Sequence, residues 1–118
     1  MNVRPFKRPD RYAHELSKML GEILFKEIDL SSIGFVTITH VKMSKDLKLA
    51  RVYLSVLNRK VNKSAVEKYF KAKKGVIRGV LGSMIRSKSV PDLIFFYDET
   101  YEEVEKLDRL LNKIHLKK

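Results

Sequence analysis

The 118-residue chain contains no cysteine. That excludes a disulfide framework and any Cys-ligated zinc, and it suits a reducing cytoplasm. Nowhere does an apolar run approach the roughly 18 residues a membrane-spanning helix needs. The opening MNVRPFKRPDRYAHELSKML is basic but never becomes continuously apolar, so no signal peptide is expected. Internal repeats and low-complexity tracts are absent too. Catalytic wiring is equally scarce. His14, His40 and His115 fall on different predicted elements, with no His-Glu-x-x-His spacing, phosphate-binding loop or nucleophile–base pair. Alternation along its strand makes His40 structural or solvent-facing. The one carboxylate cluster, Asp98, Glu99, Glu102, Glu103 and Glu105, sits where a helix should begin, and the helix dipole favours acids there in any case. These absences point away from an enzyme, a metal protein or a membrane protein. No cofactor is expected.

What the chain has in excess is positive charge. Its 25 Lys and Arg against 14 Asp and Glu give a formal net of +11, which favours a polyanionic partner. The excess is concentrated in the middle. Residues 42 to 88 carry 14 Lys and Arg against Asp46 and Glu67, a net of +12, whereas 1 to 41 net +1 and 89 to 118 net −2. A folded basic surface can orient a partner in a way that a basic tail cannot. At this length, with 44% apolar and 33% charged residues, a single soluble domain with a modest core is expected.

The hydrophobic pattern divides the chain clearly. After a basic arm over residues 1 to 9, in which Pro5 and Pro9 discourage helix, Asp10 can cap a helix running to about Ile28. Its stripe is Tyr12, Leu16, Met19, Leu20, Ile23 and Leu24. FVTITHVKM (35 to 43) and KLARVYLSVL (48 to 57) read as two strands of a hairpin. Ser64-Ala65-Val66-Glu67 has capping-box spacing and predicts the next helix. DLIFFYD (92 to 98) predicts a third strand, and its nearly continuous apolar character suggests a central position. Thr100-Tyr101-Glu102-Glu103 repeats the capping spacing and predicts a final helix with Val104, Leu107, Leu111 and Ile114 on one face. The result is an α+β domain, with helices packed on one face of a three-stranded sheet.

Residues 71 to 86, KAKKGVIRGVLGSMIR, hold five basic residues, three glycines and no acid. On a helical wheel Lys68, Lys71, Lys74, Arg78 and Arg86 fall within about 60° of one direction, opposite Val66, Tyr69, Val76, Ile77, Val80 and Met84. Lys73 would enter the apolar stripe of a straight helix, and Gly75 follows two residues later. A bend over residues 73 to 75 is therefore expected, freeing Lys73 and exposing a second helix N-terminus that could receive a phosphate. Gly79 to Gly82 matches a GxxG pattern, but its middle residues are apolar, so packing of the helix on the sheet explains these glycines better. Few exposed aromatics are evident, which favours recognition of shape and phosphate over stacking on bases.

Four stretches, in order, resemble bacterial ribosome-binding factor A. They are RPDRYAHELSKMLGEIL, VTITHVKMSKDLKLARVYLSVL, GVIRGVLGSMIR and VPDLIFFYDET, and together they span nearly the whole chain. The resemblance implies a type II KH-like domain over residues 10 to 116, of pattern α-β-β-α-kink-α-β plus a C-terminal helix. It also implies a non-catalytic, cytoplasmic assembly factor that binds the immature small ribosomal subunit and its precursor rRNA late in maturation. The family's Ala-x-Gly kink is here Lys73-Lys74-Gly75, and its Ser-Pro-Asp-Leu turn is Ser44-Lys45-Asp46-Leu47. A monomer is expected, with RNA contacts from Arg4, Lys7, Arg8, Arg11, Lys45, Lys48, Arg51, Lys68, Lys71, Lys73, Lys74, Gly75, Arg78, Arg86 and Lys88. Two other readings stay open at this point: a protein-docking module using the last helix and the acidic 98 to 108 region, and a generic KH-like nucleic-acid binder.

Overall fold

The computed structural model describes residues 8 to 85 and 89 to 116. The elements run α1 (Arg8–Glu27), β1 (Phe35–Met43), β2 (Leu49–Leu57), α2 (Lys63–Met84), β3 (Asp92–Tyr97) and α3 (Glu99–Leu116). Sheet order is β1-β2-β3, with β1 antiparallel and β3 parallel to the central β2. This is the expected α+β, KH-like arrangement. α1 packs on β1 and on α2, which in turn packs on β3. α3 instead meets β2 near its end. There Lys106, Arg109 and Leu110 share a cavity of about 630 Å³ with Thr37, Ser55 and Leu57. Only the first two helices therefore share a face of the sheet, not all of them.

The core follows from the periodicities. Leu16, Leu20, Ile23 and Leu24 of α1 meet Val66, Phe70, Ile77 and Leu81 of α2 over Ala50, Val52 and Leu54 of β2 and Leu93, Phe95 and Tyr97 of β3, all buried. Strand alternation sends the intervening side chains to the other face. β3 is an edge strand, not the central one expected. Its run looks continuous because Ile94 and Phe96 line the far face while Leu93, Phe95 and Tyr97 fill the core. Its outer edge is covered by α2, and the Tyr97 N–H donates to Glu67 Oε2 at 2.9 Å.

Helix ends differ from expectation by one or two residues. Pro9 lies in the first turn of α1, where a missing N–H costs nothing, and Asp10 follows it in that turn instead of capping. Asn62 is the N-cap of α2, its Oδ1 accepting from the Ala65 N–H at 2.7 Å. Ser64 and Glu67 form no capping box, since Glu67 is used by β3. Asp98 serves the start of α3, accepting from the Thr100 N–H at 3.0 Å.

The bend over residues 73 to 75 is not there. Lys63 to Met84 form one 22-residue helix. Lys73 does fall on the core side of the wheel, but its long stem resolves the conflict without a break. Its ammonium rises over the ring of Tyr69, one turn earlier, 5.6 Å from the centroid. Gly75 faces solvent with nothing near a built Cβ, so its cost of about 1 kcal/mol relative to alanine is carried by the rest of the helix. The core stripe is centred on Phe70 and Ile77, which leaves Val76 and Met84 partly exposed. Of the GxxG pair, Gly82 lies 3.3 Å, from a built Cβ, from Val90, consistent with close packing, whereas Gly79 faces open space.

β1 contains a bulge between Ile38 and His40. Val36 and Ile38 pair with inward residues of β2 before it; Val41 and Met43 do so after it. The extra residue, Thr39, reverses the parity of the strand. Its hydroxyl donates to Asp98 Oδ2 at 2.6 Å and lies 3.2 Å from the Tyr53 carbonyl oxygen. The β1–β2 turn is clipped by polar groups in place of a proline. Ser44 Oγ donates to Asp46 Oδ1, which also accepts from the Lys48 N–H, and Leu47 takes φ 60°.

Two glycine substitutions should move stability in opposite directions. Gly34 has φ 130°, and an added Cβ would lie 2.8 Å from the Asn58 carbonyl oxygen. Gly34→Ala is expected to cost roughly 2 kcal/mol or more. Gly75→Ala, in an unbroken helix, should gain about 0.5–1 kcal/mol. Urea unfolding of both variants reads this, and a destabilised Gly75→Ala would contradict the continuous helix.

Acid should weaken the fold in a defined way. The Thr39 hydroxyl holds the Asp98 carboxyl below the ordinary aspartate range, and Ser44 does the same for Asp46. A carboxylate depressed by folding stabilises the native state above its unfolded pKa, and the contribution disappears as pH falls through the folded value. Thr39→Val should therefore be less stable than the parent at pH 7, with the difference narrowing as pH falls below the ordinary aspartate range. A gap of equal size above and below that range would remove Asp98 from the account.

Candidate nucleic-acid interface

The cations of α2 separate into two groups by wheel position. Those flanking the core stripe are tied into the protein. The Lys74 ammonium sits 3.2 Å from Asp92 Oδ1. Arg78 donates from Nε to the Pro91 carbonyl at 3.1 Å and from a terminal nitrogen to the Val90 carbonyl at 2.9 Å. Further along the same flank, Lys63 pairs with Glu99 at 3.1 Å. With Glu67 between them, these residues form a polar seam that joins α2 to β3 and to the segments at its two ends. Lys73 lies over the Tyr69 ring, whose hydroxyl donates to the Asp29 carbonyl just beyond α1.

The second group faces water. Lys68 and Lys71 are exposed, and among the described residues neither has a hydrogen-bond or ion-pair partner. Beside them Ala72, Gly75 and Gly79 are exposed and small, so the helix surface between the lysines is low. Lys68 and Lys71 border a groove of about 460 Å³ between α2 and β3, floored by Leu93, Ile94 and Phe95. Its single acid, Glu67, is engaged by the Tyr97 N–H.

The expected contact residues are therefore not one cluster. Arg78 and Lys74 hold the edge strand, and Lys73 sits over Tyr69. Without a break at residue 75, the N–H groups of residues 75 to 78 lie inside a helix and no free helix start faces a phosphate there. Lys45 and Lys48 are exposed in the β1–β2 turn, with the Lys48 charge near Asp46. Arg51 is exposed on the face of the sheet away from α1 and α2, directly opposite Lys42 in the β1–β2 register. Arg8 and Arg11 are exposed on α1. Arg4, Lys7, Arg86 and Lys88 lie outside the described residues. Lys42 and the aromatic residues beside it were not among the expected contacts. The signal was present in β1, where the apolar positions shift from even (Val36, Ile38) to odd (Val41, Met43).

No group of three or more His, Asp or Glu residues comes together among the described residues. None of the described helices is long and apolar enough to cross a membrane.

Comparison with known proteins closes the question of family. Over 109 residues the chain is 35% identical to ribosome-binding factor A of Natranaerobius thermophilus, covering 92% of this chain and 83% of that one. Over 113 residues it is 38% identical to the same protein of Staphylococcus carnosus, covering 93% and 96%. Among solved structures it resembles a Thermotoga maritima protein described as a putative ribosome-binding factor A, with TM-score 0.66 and 27% identity over 80% of this chain and 91% of that one. A homology model of Thermus thermophilus ribosome-binding factor A, fitted into the cryo-electron-microscopy map of a complex of that factor with 30S, matches with TM-score 0.60 and 18% identity over 74% of this chain and 91% of that one. The sequence model of the family, ribosome-binding factor A, matches residues 8–111, and the chain belongs to that family.

Proposed function

We propose that this protein is a non-catalytic factor of the cytoplasm that binds the small ribosomal subunit, as a monomer, by gripping precursor rRNA during late maturation. Family membership supports the reading, as does the Thermus homology model fitted into the map of a complex with 30S. The observation that carries it is the α2–β3 groove, whose Lys68 and Lys71 have no partner among the described residues. Lys68 and Lys71 supply charge, and the small residues Ala72, Gly75 and Gly79 let a phosphodiester chain lie close to the helix. Lys45 and Lys48 of the turn and Arg8 and Arg11 of α1 are further exposed cations that we assign to the same contact, Arg51 belongs to the far face of the sheet, and Arg4, Lys7, Arg86 and Lys88 are proposed as contacts from the sequence alone. Lys73, Lys74 and Arg78 contribute field to the site while holding the elements that build it. Phosphate contacts of this kind read RNA shape.

A docking role for the last helix has one observation in its favour. Leu107, Leu110 and Leu111 of α3 are 57%, 53% and 46% exposed. It is compatible with RNA binding through the opposite side of the molecule.

The two lysine groups should respond differently to mutation. Replacing Lys68 and Lys71 by alanine is expected to lower the salt slope of binding to a small-subunit rRNA fragment by roughly one to two units, with the melting temperature unchanged. Arg78→Ala should cost about 1–3 kcal/mol of stability, because two strand-entry carbonyls lose their donor. Fluorescence anisotropy between 50 and 300 mM salt, paired with thermal melts, reads both. An unchanged slope in the folded Lys68/Lys71 variant would argue against the groove.

A further inference from the structure

The sheet face away from α1 and α2 carries a column of rings. His40 of β1 stacks on Tyr53 of β2 with centroids 4.1 Å apart and planes within 8°. Tyr53 stacks in turn on Phe96 of β3, 5.3 Å away at 24°. These planes stand upright on the sheet, so the column runs across all three strands and ends at His40 on the β1 edge. The His40 side chain is 54% exposed. Its Nδ1 side is held by Asp98 Oδ2 at 3.7 Å and the Thr39 hydroxyl at 3.4 Å, and the ring lines an open pocket of about 420 Å³ with Asp10, His14 and Ser17 of α1, wide enough to admit a further flat ring.

One row along, Lys42 and Arg51 face each other in register, both exposed. Like charges directly across a ladder destabilise it, and among the described residues neither has a carboxylate partner. The bulge at Thr39 brings both features together. Without its extra residue, His40 and Lys42 would point into the core.

From this juxtaposition we infer that the His40–Tyr53–Phe96 column is a stacking platform for an unpaired RNA base, added as a fourth plate on His40, with Lys42 and Arg51 holding the adjoining phosphates. Flat π-faces accept any base, and neighbouring cations neutralise the backbone. This runs against the expectation from sequence that stacking surfaces are scarce. The inference rests on the rRNA reading above but uses a different surface, so the protein would engage paired RNA at the α2 groove and single-stranded RNA at the sheet.

The full-length chain is titrated with a single-stranded RNA ten-mer carrying 2-aminopurine, following anisotropy and base fluorescence. A structured small-subunit rRNA fragment without that base serves as the second ligand. The parent should bind the ten-mer and quench the fluorophore. His40→Ala should weaken ten-mer binding at least about 5-fold and remove the quenching, with the structured fragment bound as before. His40→Phe should restore quenching, which a charge effect would not. Thermal melts confirm that the variants fold. Ten-mer binding and quenching untouched in His40→Ala would overturn the inference. So would a parent that binds the structured fragment but ignores the ten-mer; in that case the groove reading survives. A parent that binds neither RNA defeats both and leaves these faces to a protein partner.

Discussion

Everything in this molecule turns on how α2 covers the outer edge of β3. An edge strand presents unpaired backbone groups, and α2 answers them with a polar flank. Lys63, Glu67, Lys74 and Arg78 meet Glu99, the Tyr97 N–H, Asp92 and the carbonyls of Pro91 and Val90. That seam sets the rotation of the helix about its axis. The rotation puts Phe70 and Ile77 in the core and leaves Lys68, Lys71 and Gly75 on the water side. Isolated surface ion pairs contribute little, so the strength of the seam comes chiefly from the hydrogen bonds to backbone groups and from the buried Val66, Phe70, Ile77 and Leu81 beneath them.

A consequence is that cations alike in sequence do different work. Arg78 satisfies carbonyls at the entrance to β3, and Lys73 uses its flexible stem to leave the core and lie over Tyr69. Lys68 and Lys71 remain with no partner among the described residues, beside a groove whose one carboxylate is already engaged. On the far face of the sheet, the bulge at Thr39 performs a similar sorting. It keeps Val41 and Met43 inside while turning His40 and Lys42 out, and Asp98 anchors the rearranged strand.

Much of this fold could be read from the chain. Richness in β-branched and aromatic residues located Phe35–Met43 to the residue and β2 to within one, and the spacing of Leu16, Leu20 and Ile23 identified the inner face of α1. The total charge and its concentration between residues 42 and 88 were equally plain. What could not be read depends on who neighbours whom. DLIFFY looks central because both of its faces are apolar, yet an edge covered by a helix produces the same pattern. The capping residues were misplaced because Glu67 is wanted by Tyr97 more than by its own helix end. The break over residues 73 to 75 was inferred from a conflict that lysine can settle by bending its own side chain. The division of α2 cations into bound and unbound follows from the order of the sheet, which no helical wheel contains.

The central claim is that α2 presents Lys68 and Lys71 to RNA while Lys74 is retained by Asp92. Acetylation of lysines by a water-soluble reagent, mapped by mass spectrometry with and without bound small-subunit rRNA, tests it most directly. The account predicts that Lys68 and Lys71 react readily in the free protein and become protected in the complex, whereas Lys74 reacts slowly in both. Unprotected Lys68 and Lys71 in a saturated complex, with protection appearing at Lys74 instead, would contradict it.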